Sequence, residues 1–239
     1  MPYALITGSA KRIGRNIAIF LAKNGWDIII HYNSSYNEAF KLQESIILLG
    51  RKCILYQNDF SKNQVHNLFK QGLSIGLIIN NASIFEMDSL HDLNQENFIT
   101  TMKINFIAPS LIIKTILDTN IFDNQINIIN ILDSIIYKLP KNFTSYYFSK
   151  RMLADFTRLS AKIYAPKARV NGIALGQIMK NYNQSEENFQ KTFCNNPLGH
   201  SGTIEEICNT IHFIVENKSV TGQIISLDGG AHLDNVNYP

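Results

Sequence analysis

Apolar and polar positions alternate along this chain in two rhythms. Short unbroken apolar runs occupy Tyr3 to Ile6, Ile28 to His31, Cys53 to Tyr56, Leu77 to Ile79, Ile126 to Leu132, Val170 to Ile173 and Ile224 to Leu227. Between them lie longer segments with apolar residues at helical spacing, as at Ile13, Ile17, Phe20 and Leu21. Strands buried on both faces read as continuous apolar runs, and parallel strands need crossovers long enough to be helices. The pattern predicts an α/β fold, a doubly wound parallel sheet of about seven strands with helices on both faces, in a single domain spanning 1–239. In such a sheet ligands collect beyond the carboxyl ends of the strands. The segments to search are therefore "TGSAKRIG", "HYNSS", "NDFS", "NNASIF", "LDS" and "GIALGQIM".

Composition narrows the picture by exclusion. Hydrophobic residues make up 45% and charged residues 17%, the balance of a globular protein rather than a disordered one. Twenty-two basic against 19 acidic residues give +3, and the cations are scattered rather than gathered in a stripe, so no nucleic-acid partner is expected. Cys53, Cys194 and Cys208 show no ligand spacing, which predicts neither a disulfide framework nor a metal site and suits a reducing cytoplasm. The amino-terminal stretch has no basic region followed by a long apolar one, and no uncharged run approaches the roughly 18 residues of a membrane span. A cytoplasmic protein without a membrane partner is the expectation.

The first turn, with Gly8 and Gly14 between a strand and a helix, has the form of an anion site, because free amides at a helix N-terminus favour negative charge and glycine permits close approach. The second strand ends without an acid from Ile28 to Tyr36; Ser34 and Ser35 stand there, with Lys11 and Arg12 in the first turn. Hydroxyls and cations suit a 2'-phosphate, so NADPH fits better than NADH. Asp59 is placed either to accept from an adenine amino group or to cap the helix that begins near Ser61.

Two tyrosines precede a lysine by four residues. Pro140 lies between Tyr137 and Lys141 and breaks the helical turn they would need. Tyr146 and Lys150 lie in a helical-period segment, where positions four apart share a face. A phenol near pKa ~10 needs help at neutral pH, and an adjacent ammonium is expected to favour its ionised form. Thirteen residues before Tyr146 stands Asp133, with Ser134 beside it; a one-residue slip would bring the serine to the phenol instead.

In order and spacing, Gly8-(x)5-Gly14, Asp59, "NNAS", Asn105 and Tyr146-x-x-x-Lys150 resemble the short-chain dehydrogenase/reductase family over essentially the whole chain, which implies a Rossmann-type fold. The resemblance implies catalytic roles for Asn105, Asp133, Tyr146 and Lys150, with Asn105 supporting a water near the lysine. It implies cofactor contacts from Gly8, Lys11, Arg12, Ile13, Gly14, Tyr32, Ser34, Ser35, Asp59, Phe60, Asn81, Ala82 and Lys150. Within the family, Arg12, Ser83, Phe85, Asp133 and Tyr146 together are similar to the substrate pocket of pteridine reductases and bacterial dihydromonapterin reductases.

That pocket makes chemical sense. A flat pterin can stack between Phe85 and a nicotinamide, and an imine nitrogen that needs a proton can draw on a carboxylic acid where a ketone needs only a neutral donor. The implied activity is NADPH-dependent reduction of a dihydropterin, by a protein expected to be a homotetramer. An ordinary ketone reductase, such as a 3-oxoacyl-carrier-protein reductase using Ser134, and a non-catalytic nucleotide-binding protein are the alternatives. The chain departs from the pattern in carrying Asn33 and Ser34 where a basic residue is usual, and Leu175-Gly176 where Pro-Gly is usual. Residues 177–200 are expected to form a substrate lid, with Met179 and Tyr182 as pocket contacts.

Overall fold

The structure is a computed structural model that describes residues 2–62, 73–118, 125–180, 185–194 and 196–233. The strands are β1 (Tyr3–Ile6), β2 (Asp27–Tyr32), β3 (Cys53–Gln57), β4 (Ile75–Asn80), β5 (Ile126–Asp133), β6 (Ala168–Leu175) and β7 (Ile224–Leu227). All pair in parallel, in the order β3-β2-β1-β4-β5-β6-β7. Each predicted apolar run became a strand, extended by no more than two residues at either end. The helices are α1 (Arg12–Lys23), α2 (Tyr36–Leu48), α3 (Gln95–Met102), α4 (Ala108–Asp118), α5 (Thr144–Tyr164), α6 (Glu186–Lys191) and α7 (Ile204–Glu216).

Alternation along the strands assigns side chains to two layers. Ile6, Ile28, Ile30 and Ile79 pack under Ile17 and Leu21 of α1, Leu42 of α2 and Ile211 of α7. Leu5, Ile29, Ile78 and Ile128 turn the other way, onto Ile112 and Ile116 of α4 and Ala161 of α5. Local signals set the helix ends: Thr203 and Glu206 form the reciprocal capping box their spacing predicts at α7, and Asn94 accepts from the amides of Glu96 and Asn97 at α3.

The strand order reverses between β1 and β4, and hydrogen bonds stitch that crevice shut at its base. Thr7 Oγ1 accepts from the amides of Asn81 and Ala82, both at 2.9 Å, while Asn81 Nδ2 donates to Thr7 O and Gly8 O at 2.9 and 3.2 Å. The crevice above this seam is where a doubly wound sheet binds its ligands. No helix among the described residues is long and apolar enough to cross a membrane.

Candidate active site

A cavity of about 950 Å³ opens over the carboxyl ends of the strands. It lies at the upper end of the roughly 300–1,000 Å³ usual for small-molecule sites, which leaves room for two ligands side by side. Asn58, Asp59 and Phe60 line one end, Lys150 and Asp133 the middle, and Phe85, Phe143, Met179 and Phe193 the other end.

The first turn differs from its expected role in one respect. Gly8 has φ +63, and a Cβ there would lie 2.9 Å from Ala82 Cα; a Cβ on Gly14 would lie 2.6 Å from Gly8 O. Both glycines line the cavity, but their missing side chains let the turn pack onto the chain behind it. At the N-terminus of α1, Lys11 makes no side-chain cap and the first turn holds no acid, a setting that favours negative charge. Lys11, Arg12, Ile13, Asn81 and Ala82 join Gly8 and Gly14 on the cavity wall.

Arg12, where the family pattern has glycine, keeps the left-handed backbone with φ 52. An arginine there accepts steric cost, about 1–2 kcal/mol, and its Nη2 reaches across to Lys180 O at 3.2 Å. Lys11 Nζ pairs with Glu38 at 2.8 Å.

Other expected cofactor residues sit elsewhere. Tyr32, Ser34 and Ser35 are not on the cavity wall; Tyr32 is buried against the sheet, and Asn33 stands at the rim in place of the two serines. The reason is local: the chain turns after Asn33 to enter α2, with Ser35 as its N-cap residue. Asp59 does what its capping alternative predicts, since Oδ1 accepts from Ser61 N at 3.0 Å and Ser61 Oγ at 2.6 Å. Those bonds, the hydroxyl's first, hold its carboxyl below the usual range. Its position on the wall beside Phe60 keeps it available to a ligand as well.

At the middle of the cavity Asp133, not Ser134, meets the phenol: Tyr146 OH donates to Asp133 Oδ2 at 2.9 Å. Asp133 is the last residue of β5, and its other oxygen accepts from Ile135 N at 2.8 Å, capping the tight turn Ser134–Tyr137. Capping and facing the tyrosine are thus done by different oxygens of one carboxylate. Burial pushes the Asp133 carboxyl up, against the opposing pull of Ile135 N–H, Tyr146 and the Lys150 and Lys138 charges. Burial, then the neighbouring carboxylate, drives the Tyr146 phenol well above its ordinary value, while a bond from Ser83 works in the other direction.

Lys150, expected to favour the ionised phenol, stands beside the Tyr146 ring. Lys150 Nζ lies 5.6 Å from the Tyr146 ring centroid and donates to Ile131 O at 2.9 Å. At 3% exposure the ammonium is itself desolvated, which brings its pKa down to about 8 against the opposing pull of Asp133. The pair Asp133–Tyr146 is arranged to hold protons.

Asn105 is buried beside Ser149, the residue before Lys150. It lies in a π-helical segment, Lys103–Ile107, and its amide is committed to Ile84, accepting from N and donating to O at 2.9 Å each, and to Ser149 Oγ at 3.1 Å. Ile84 lies between Ser83 and Phe85, so Asn105 fixes the strip that carries both against α5, next to Lys150. Phe85 is 49% exposed, which excludes a role as core filler. Its ring stacks on Phe143 with centroids 4.3 Å apart and meets Tyr146 edge-on at 4.7 Å.

Sequence reasoning missed three residues here. Asp88 accepts from Ser145 N at 3.1 and 3.2 Å and from the Ser145 hydroxyl, capping α5 immediately before Tyr146. Phe143, left-handed at φ 66, extends the aromatic wall. His31 lines the cavity near the end of β2. An acid two residues ahead of Leu90 or a lone histidine near the end of a strand carries no spacing signal that would mark it. Met179 lines the cavity as expected, together with Thr192, Phe193 and Asn196, while Tyr182 lies outside the described residues. Among the described residues no group of His, Cys, Asp or Glu could hold a metal, and the three cysteines are free thiols.

Comparison with known proteins places this geometry. The family model described as enoyl-(acyl carrier protein) reductase matches residues 8–232. The crystal structure of the FolM alternative dihydrofolate reductase 1 from Brucella canis, complexed with NADP, superposes with a TM-score of 0.92 at 32% identity, covering 97% of this chain and 94% of that one. Glucose 1-dehydrogenase 2 of Bacillus subtilis is 28% identical, over 96% of this chain and 94% of its own. The 3-oxoacyl-[acyl-carrier-protein] reductase FabG of Staphylococcus epidermidis is 24% identical, over 96% of this chain and 98% of its own. With the parallel sheet in its 3-2-1-4-5-6-7 order and Tyr146 and Lys150 on one helix face over the cavity, the match across nearly the whole chain shows that this protein belongs to the short-chain dehydrogenase/reductase family of oxidoreductases.

Proposed function

We propose that this protein uses NADPH to reduce the C=N bond of a dihydropterin, of the dihydromonapterin or dihydrobiopterin kind, to the tetrahydro form. The observation that carries the reading is the partly buried carboxyl of Asp133 bonded to the Tyr146 phenol at 2.9 Å, beside a half-exposed Phe85. The wall residues fit a dinucleotide: an uncapped helix N-terminus for its phosphates, Asp59 and Phe60 at the far end, Asn81 and Lys150 near the phenol. Lys11 and Arg12 on the wall, and no acid at the end of β2, favour a 2'-phosphate. The likeness to a dihydrofolate reductase complexed with NADP supports both the cofactor and the pterin ring.

When bound, the nicotinamide supplies a hydride to the carbon of the C=N bond. The nitrogen must then receive a proton. Tyr146 gives its phenolic proton to that nitrogen, and Asp133, which burial keeps inclined to hold a proton, restores it along their hydrogen bond. Lys150 contributes a cation beneath the site. Phe85 and Phe143 form the aromatic wall against which a flat ring packs, and Ser83 and Arg12 offer polar contacts to its edge. The same reading takes the protein as one domain and a cytoplasmic homotetramer. Exposed Phe148, Met152, Leu159 and Ile163, spaced along one face of α5, support self-association.

The test is NADPH oxidation with dihydromonapterin or dihydrobiopterin against an acetoacetyl thioester. Turnover of the pterins and not of the thioester is expected. The reverse would make the protein a 3-oxoacyl reductase, and NADPH binding without either turnover would make it a nucleotide-binding protein.

A further inference from the structure

The next-to-last residue of β2 is a histidine that the chemistry above leaves unused. His31 is 3% exposed, yet both ring nitrogens are engaged by loops from neighbouring strands. Gly8 N donates to Nδ1 at 2.9 Å, and Nε2 lies 3.1 Å from Asn58 O. A backbone amide can only donate and a carbonyl can only accept, so Nδ1 is bare and Nε2 carries the proton. The neutral imidazole in that one tautomer satisfies both partners. Its face stacks on Phe60 with centroids 4.1 Å apart and planes 7° apart, and Tyr56 closes the other approach at 5.7 Å. The backbone adds a further tie, since Ser9 N donates to His31 O at 3.0 Å.

The two loops held by this ring are the two sides of the dinucleotide groove. Gly8 opens the turn that delivers the uncapped N-terminus of α1, while Asn58 leads into Asp59 and Phe60; all of these except the helix interior lie on the cavity wall. Among the described residues no strand hydrogen bonds cross between the β1–α1 turn and the loop after β3, because β2 separates β1 from β3 in the sheet. Backbone bonds from Ser9 N to His31 O and from Asn58 N to Tyr32 O, both 3.0 Å, tie each loop to β2 separately, and the His31 ring is the side chain that touches both loops at once. Burial brings the imidazole pKa down to about 4, so the neutral ring is the form present at neutral pH.

We propose that His31 is a positioning residue for the dinucleotide, a neutral strut that spaces the β1–α1 turn from the loop after β3 and so presets the groove before the cofactor enters. The proposal goes beyond the pterin reading and concerns the cofactor alone.

Two near-isosteres separate its two bonds. His31→Asn places an acceptor where Nδ1 stands but cannot reach Asn58 O; His31→Gln places a donor near Nε2 but nothing at Nδ1. His31→Leu keeps bulk and removes both bonds. Dissociation constants for NADPH are read by fluorescence titration without any second substrate, each variant being first checked for native circular dichroism. His31→Leu is expected to weaken NADPH binding by about tenfold or more, and His31→Asn and His31→Gln, each keeping one end of the strut, are both expected to weaken it by several-fold. Binding unchanged in a folded His31→Leu protein would overturn the proposal. So would parent-like binding in either the asparagine or the glutamine protein, which decides the matter even if the leucine protein does not fold. Absence of pterin turnover would count against the substrate reading alone, because the binding constants that test His31 are measured without a pterin.

Discussion

The two ends of the cavity are built from different materials. Beyond β1 to β3 the groove is shaped by backbone amides, glycine contacts and a neutral histidine, with Asp59 ionised and already bonded to Ser61. Beyond β4 to β6 the wall carries a partly buried Asp133 and a buried Tyr146 and Lys150, each displaced from its ordinary titration by desolvation. The first end can hold a ligand at little cost to stability, because its polar atoms have hydrogen-bond or ion-pair partners and its charges, as in Lys11–Glu38, stay exposed. The second end keeps groups that would be better solvated, and that is the end where protons must move. Substitutions should therefore separate: at the catalytic end they change turnover and can stabilise the fold, at the groove end they change binding.

The largest expected effect is at Asp133. Asp133→Ala should lower turnover with a dihydropterin by about 10²- to 10⁴-fold, the usual worth of a positioned acid, whereas Ser134→Ala should stay within a few-fold of the parent protein, since Asp133 is the phenol's partner. Steady-state kinetics on both variants checks the ranking, and the opposite order would erase the contrast between the two ends.

Lys150 tests the stability side. Its folded pKa, about 8, lies below the ordinary lysine value of 10.5. Below about pH 8 the folded and unfolded chains both carry the proton. Between about 8 and 10.5 the unfolded chain alone holds it, so unfolding takes up a proton and stability rises with pH across that window. Lys150→Met should abolish turnover yet stabilise the protein at neutral pH by about 1–3 kcal/mol, after loss of the bond to Ile131 O is set against the relieved burial. Urea denaturation at pH 7 and at pH 10 should show that advantage shrinking at the higher pH.

Smaller effects are expected from the walls. Phe85→Ala removes one partner of a stacked pair and should raise the KM for the pterin by about 2- to 12-fold, the equivalent of 0.5–1.5 kcal/mol for an aromatic contact. Its stability should scarcely change, because the ring is half exposed. Arg12→Gly should alter stability by less than about 1 kcal/mol, as relief of the left-handed strain is offset by a freer unfolded chain. It should nevertheless weaken binding, since the contact with Lys180 O is lost.

The sequence made the fold legible because it is written in long repeated patterns: the seven apolar runs are the seven strands, and Pro140 ruled out the Tyr137–Lys141 pair. It also placed Tyr146, Lys150, Asp133 and Phe85 around one cavity, because helical register and family spacing carry those positions. What it did not show are directions taken by single side chains. Nothing in "HYNSS" reveals that His31 points inward while Ser34 points away, because that depends on where the chain turns into α2. Nothing in the spacing of Asn105 distinguishes a water site from a clamp on Ile84, since both need a buried amide. The spacing of Tyr146 and Lys150 announces that they are neighbours but not how far each is desolvated, because proximity is visible in a motif and burial is not.

The most direct measurement is pterin turnover by the nearly isosteric Asp133→Asn protein, made alongside its NADPH dissociation constant. An amide oxygen can still accept from the Tyr146 hydroxyl but cannot carry the proton that the C=N nitrogen requires. Turnover should fall by about 100-fold or more with cofactor binding unchanged. Turnover equal to that of the parent protein would contradict a proton route through Asp133.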